Sequence, residues 1–179
     1  PINSAKSLLE TNKLLEAIPD TVKSKITIKA YPREVLKNFD GFNILDFTSG
    51  SEKKFKSFVD ANIPAKNMMR NNELLITNYV STTWLESLHS NIPTLIYWNP
   101  NRFIINNGYK SALKNLERVG ILHFDINSLV EQLLNIDEDV LSWWFAPEVQ
   151  IERLNFLKMY CDDGSKIFDF LIALSNQDT

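Results

Sequence analysis

Apolar positions along the chain switch repeatedly between helical and strand spacing. Ile2, Leu8, Leu9, Leu14, Leu15 and Ile18 recur at helical intervals and predict a helix over residues 3–18, stopped by Pro19-Asp20. Residues 25–31 alternate and are rich in β-branched side chains, so they read as a strand closed by Pro32. Residues 41–47 read as a second strand, with a turn at Thr48–Ser51. Phe55, Phe58 and Val59 mark a helix. The strand Leu74-Leu75-Ile76 follows, then a helix from Thr82 to about Asn91 and a strand over residues 94–98. A helix over residues 107–119 ends at Gly120, a natural left-handed terminator. Residues 121–124 read as a short buried strand and residues 128–135 as a helix. Residues 139–160 read as helix broken near Pro147, and residues 166–174 as a last helix.

Strands alternating with helices predict parallel strands joined by right-handed crossovers. The fold class is therefore α/β, a Rossmann-like three-layer sandwich with a parallel sheet. Short apolar strands such as Leu95-Ile96-Tyr97 fit a sheet covered on both faces.

Composition narrows the function classes. At 179 residues, 44% hydrophobic and 23% charged, the chain reads as one soluble domain with a sizeable core. A net charge of −3 argues against general nucleic-acid binding. The single Cys161 excludes an internal disulfide and a cysteine-based zinc site, which fits a reducing cytoplasm. His89 and His123, the two histidines, have no second ligand near them in sequence, so no metal is expected. No apolar run approaches a membrane span. The chain opens without Met, directly in a helical pattern, which reads as a fragment of a longer protein.

The chemistry concentrates around Thr77-Asn78-Tyr79-Val80-Ser81-Thr82-Thr83-Trp84-Leu85-Glu86, between a strand and a helix. Thr83 and Glu86 have capping-box spacing, and capping alone would account for both. Three consecutive hydroxyls, Ser81, Thr82 and Thr83, exceed what a cap requires. At a helix N-terminus they suit a phosphate, and Asn78 precedes them. Glu86 either caps or accepts hydrogen bonds from a ribose or sugar hydroxyl. Lys29 and Arg33 flank the end of the first strand and could neutralise phosphate charge; solvated strand-end cations are the plain alternative. Trp98 could stack on a base or sugar, or pack under its loop. There is no glycine-rich phosphate loop, no Walker sequence and no Ser-His-Asp order. Trp143-Trp144-Phe145 and the helix after them read as a block docked on the domain, or as cover for another domain.

The runs TNYVSTTWLESLHSNIPTLIYWNP, NNGYKSALKNLERVGILH and SWWFAPEVQIERLNFLKMYC resemble the C-terminal half of a family of bacterial surface-carbohydrate transferases. The resemblance covers residues 25–165. More distantly the chain is similar to donor-side domains of GT-B glycosyltransferases, including Kdo transferases and CDP-glycerol polymerases. This resemblance implies that residues 1–179 are the C-terminal Rossmann-like half of a GT-B fold. An N-terminal acceptor-side domain would lie elsewhere in the parent protein. The implied partners are a nucleotide-activated sugar donor and a glycan acceptor. The implied location is the cytoplasm, at the inner face of the membrane through the parent. The resemblance also implies that Ser81, Thr82 and Thr83 take the donor phosphates and that Glu86 approaches the donor sugar or ribose, with no cofactor and no metal. The family often has aspartate where Asn78 stands. The paired glutamates of many retaining GT-B enzymes are absent: Asn78 lies eight residues before Glu86.

Three function classes follow: a transferase domain, a nucleotide- or sugar-binding module without turnover, and a structural assembly domain.

Overall fold

In the computed structural model of the protein, the described residues are 2–29, 57–59, 63–78, 81–101 and 107–160. The chain divides into two compact units, Pro1–Asn71 and Asn72–Thr179.

The first unit opens with α1 (Ile2–Ala17) and the single turn α2 (Asp20–Lys23). Leu14, Ile18 and Val22 are buried there. Lys23 is also buried; its Nζ donates to Asp20 Oδ1 at 3.3 Å and to the Glu16 carbonyl at 3.4 Å. Strand β1 (Thr27–Lys29) pairs in parallel with β2 (Ser57–Val59), with Ile28 opposite Phe58. The Phe55, Phe58 and Val59 spacing predicts a helix, yet Ser57–Val59 is a strand. Aromatic and β-branched residues accept either state, and here pairing with β1 decides. The short helix α3 (Ala65–Arg70), behind Pro64, completes the unit. It carries too little apolar periodicity to be read from sequence. The expected strand over 41–47 and the helix over 166–174 lie outside the described residues.

Among the described residues the second unit holds a three-stranded parallel sheet ordered β3 (Leu75–Thr77), β4 (Thr94–Tyr97), β5 (Leu122–His123). Ile76 lies opposite Leu95, and Ile96 opposite Leu122. Between the strands come α4 (Thr82–His89), then a 3₁₀ turn (Asn107–Tyr109) running into α5 (Lys110–Arg118). After β5 come α6 (Ile126–Ile136), α7 (Val140–Trp144) and α8 (Pro147–Tyr160). All four residues of β4 are buried. Side chains alternate along a strand. Ile96 and Leu122 therefore face the main core, which includes Trp84, Leu88, Leu113, Leu116, Trp144 and Phe156. Leu95 and Tyr97 face the other way, toward α6, whose Leu129, Leu133 and Ile136 are buried. The expected parallel α/β pattern is present, in a small sheet with helices on both faces.

Helix ends follow backbone chemistry. At the end of α5, Gly120 has φ +76°; its N–H donates to Glu117 and that of Ile121 to Leu116. This is a Schellman closure. The end of α4 repeats it with Asn91 at φ +55°: Asn91 N–H donates to Leu88 and Ile92 N–H to Ser87. An aromatic ladder joins α4, α8 and the 3₁₀ turn, with ring centroids 5.5 Å apart for Trp84–Phe156, 4.9 Å for Phe156–Tyr160 and 5.1 Å for Tyr160–Tyr109. Among the described residues no helix is long and apolar enough to cross a membrane.

Candidate functional site

All three strands of the second unit run the same way, so their carboxyl ends share one edge. In open α/β sheets this edge is the usual ligand-binding side. Strand β3 leaves through Asn78 and reaches Ser81, the N-cap of α4. Strand β4 leaves through Trp98 into an Asx turn, where Asn99 Oδ1 accepts from Asn101 N–H at 2.9 Å. Strand β5 leaves into Asp125, the N-cap of α6. Among the described strands Ser81 thus follows an outer one, β3, and β4 holds the centre.

The cap of α4 is Ser81 rather than Thr83. Ser81 Oγ accepts the Thr83 N–H at 3.3 Å, and the helix starts at Thr82. Serine caps more strongly than threonine, and the earlier start adds helical residues. Glu86 is therefore the fifth helical residue, too deep for a capping box. It is exposed, one turn below Thr82 and on the same face. Thr82 is exposed and Thr83 half-buried. Among the described residues no hydrogen bond engages either threonine hydroxyl.

Of the three described helices that start at this edge, α4, α5 and α6, the first and last differ in charge at their N-termini. Asp125 places a carboxylate at the start of α6, with Oδ1 accepting from Asn127 N–H at 2.8 Å and Ser128 N–H at 3.2 Å. An anion already fills that position. At α4 the cap is a neutral serine, and the first turn of the helix holds no acidic residue. Sequence spacing missed the Asp125 cap because the helix was expected to begin at Ser128. Asp125 immediately before the apolar Ile126 was the available signal.

Trp98 does not meet the stacking expectation. It is 1% exposed, packed in the main core, and its N–H donates to the His123 carbonyl at 2.8 Å. Its indole offers no open face. Lys29 ends β1 in the first unit, and Arg33 lies outside the described residues. The structure therefore brings Asn78, Ser81, Thr82, Thr83 and Glu86 to one strand–helix junction. A groove of about 550 Å³, lined by Gly120, His123, Gln132, Trp143 and Glu148 among others, contains none of them.

His123 is buried and tied at both ring nitrogens. Nε2 lies 3.0 Å from the Gly120 carbonyl, so it must donate there; Nδ1, 2.8 Å from Ser128 Oγ, then accepts. Burial lowers its pKa from 6.5, and the Gly120 bond opposes that only partly. The unfolded chain therefore binds the His123 proton more readily. Stability should fall as pH drops below about 6.5 and level off once the folded-state pKa is passed. The slope should reach at most about 1.4 kcal/mol per pH unit. Urea titrations at several pH values should show this component in the parent and lose it in His123→Gln. Among the described residues no group of three His, Cys, Asp or Glu could hold a metal ion.

A family model described as LIC12162 family transferase matches residues 4–173. The chain belongs to the LIC12162 transferase family. No curated protein and no solved structure matches it. As a LIC12162-family protein it is of transferase type, which implies a donor and an acceptor. Two groups of residues from the runs quoted above stand at opposite ends of α4. Asn78, Ser81–Thr83 and Glu86 meet at the junction just described. Asn91, Trp144, Gln150 and Arg153 meet at the opposite end of α4, linked by hydrogen bonds.

Proposed function

We propose that this chain is the donor-binding part of a transferase moving a sugar or related group from a nucleotide-activated donor to a surface glycan. The amino end of α4 holds the donor phosphates. Ser81, Thr82 and Thr83 supply hydroxyls, and the first N–H groups of the helix point the same way. Glu86, on that face, accepts hydrogen bonds from a sugar or ribose hydroxyl, and Asn78 lies beside them. As the bond to the leaving phosphate breaks, charge grows on its oxygens, and fixed donors there lower the barrier. In this reading an acceptor-side domain of a GT-B parent completes the cleft, in the cytoplasm at the membrane's inner face.

The supporting observation is the contrast between two helices at one sheet edge. One N-terminus is filled by Asp125, whereas the other carries a neutral cap and uncommitted threonine hydroxyls. Calorimetric titration with CMP, CDP, UDP and GDP tests the reading. Thr82→Val/Thr83→Val should weaken the best ligand at least about tenfold, since each hydrogen bond to a charged group contributes roughly 1.5–3 kcal/mol. The same variant should keep its stability, whereas Ser81→Ala should lose about 1 kcal/mol of it. Unchanged affinity in a folded double variant would return these residues to structure alone. A nucleotide-binding module without turnover is the second reading. Its supporting observation is that, among the described residues at this edge, the Asp125 carboxylate is spent on capping, which leaves Glu86 as the candidate base.

A further inference from the structure

The carboxyl end of α4 is fastened by a closed circuit of hydrogen bonds. Arg153 Nη1 donates to the Leu88 carbonyl at 2.6 Å, and Arg153 Nε donates to Gln150 Oε1 at 3.0 Å. Gln150 Nε2 donates to the Trp144 carbonyl at 2.7 Å. Trp144 Nε1 returns to the turn after α4, reaching Asn91 Oδ1 at 3.0 Å and the Asn91 carbonyl at 3.2 Å. Leu88 and Asn91 are themselves joined through the Schellman closure.

Arg153 is 6% exposed, and among the described residues no carboxylate pairs with it. Burial lowers its pKa. Its positive charge is met by the negative end of α4. A buried cation with such neutral partners is a poor way to gain stability compared with a well-packed apolar residue. Its planar fork does fix direction, because two donors on one rigid plane aim at two acceptors on different helices. Direction matters here through leverage. Eight residues at 1.5 Å rise make α4 roughly 12 Å long, so a tilt of about 5° at one end moves the other by roughly 1 Å. A hydrogen bond does not survive such a displacement unchanged.

We propose that Arg153 is a positioning residue: through the Leu88 carbonyl it sets the tilt of α4, and thereby the place of the Ser81–Thr83 hydroxyls and N–H groups. Gln150 and Trp144 hold the guanidinium at its angle. The inference rests on the reading of the amino end of α4 as a donor-phosphate site.

The test uses the full chain with Arg153→Lys, which keeps the charge and loses the fork, and Gln150→Met, which keeps the bulk and releases the guanidinium. Leu133→Ala, on the α6 side of the sheet, is the control for lost stability. CDP affinity and amide hydrogen exchange along α4 are measured on each. Arg153→Lys should weaken CDP about tenfold relative to the control and speed exchange selectively in α4, with Gln150→Met moving both in the same direction. CDP affinity no lower than in the control overturns the proposal, as does exchange that rises evenly across the second unit. If the parent chain binds neither CDP nor the other nucleotides, the donor reading fails by itself. Exchange then decides: selective loosening of α4 supports the tilt role, and even loosening overturns it. Should Arg153→Lys not fold, Gln150→Met carries the same two measurements.

Discussion

Trp144→Ala should remove about 3–5 kcal/mol from the stability of the second unit. The indole is fully buried, in a core it shares with Trp84, Leu88 and Phe156. Truncation leaves a cavity that flanking helices can only partly close. It also strips Asn91 of its indole donor. Trp144→Phe narrows the comparison, since it keeps an aromatic ring in the core and loses Nε1–H with only part of the bicyclic ring. That variant should lose about 1–2 kcal/mol, the low end of the range because Asn91 is half-buried and water can reach it. Denaturant unfolding of both variants gives the comparison. Equal losses would show that packing contributes nothing beyond the hydrogen bond.

Gly120→Val comes second, at about 2 kcal/mol or more. The backbone there sits at φ +76°, where a Cβ meets its own backbone. A Cβ at this position would also approach Gln132 Cδ to 2.9 Å. That contact is with the end of a flexible side chain, which can swing aside. The backbone cost should therefore dominate. Gly120→Ala should still be destabilised when Gln132→Ala is added, and Gly120→Asn should lose less, because asparagine tolerates left-handed backbone. Full rescue by Gln132→Ala would assign the effect to crowding.

Much of the second unit could be read from the sequence because its signals are local. Gly120 ends α5 as its lack of a Cβ suggests, and Pro147 opens α8 after the break following α7. Central strand β4 is apolar throughout, as a strand covered on both faces must be. What escaped reading depends on partners distant in sequence. Ser57–Val59 becomes a strand only because β1 is there to pair with it. Capping-box spacing points to Thr83, yet Ser81 caps α4, because any of three neighbouring hydroxyls can start the same amphipathic helix. Trp98 could be placed as core only once β5 supplied a ladder partner for its N–H. Arg153 looks like an ordinary exposed helix cation in sequence, and its carbonyl acceptor is 65 residues away.

The placement of the indoles has a practical consequence. The four tryptophans of the chain, Trp84, Trp98, Trp143 and Trp144, all belong to the second unit. Intrinsic emission excited selectively in indole is therefore blind to the first unit. Three of the four are shielded from solvent, so native emission should be blue-shifted and resist quenching by iodide. Far-UV ellipticity, to which α1 of the first unit contributes, samples both. Superimposing the two signals along one denaturation curve would show whether the units melt as a single cooperative block or in sequence, with no label and no truncation.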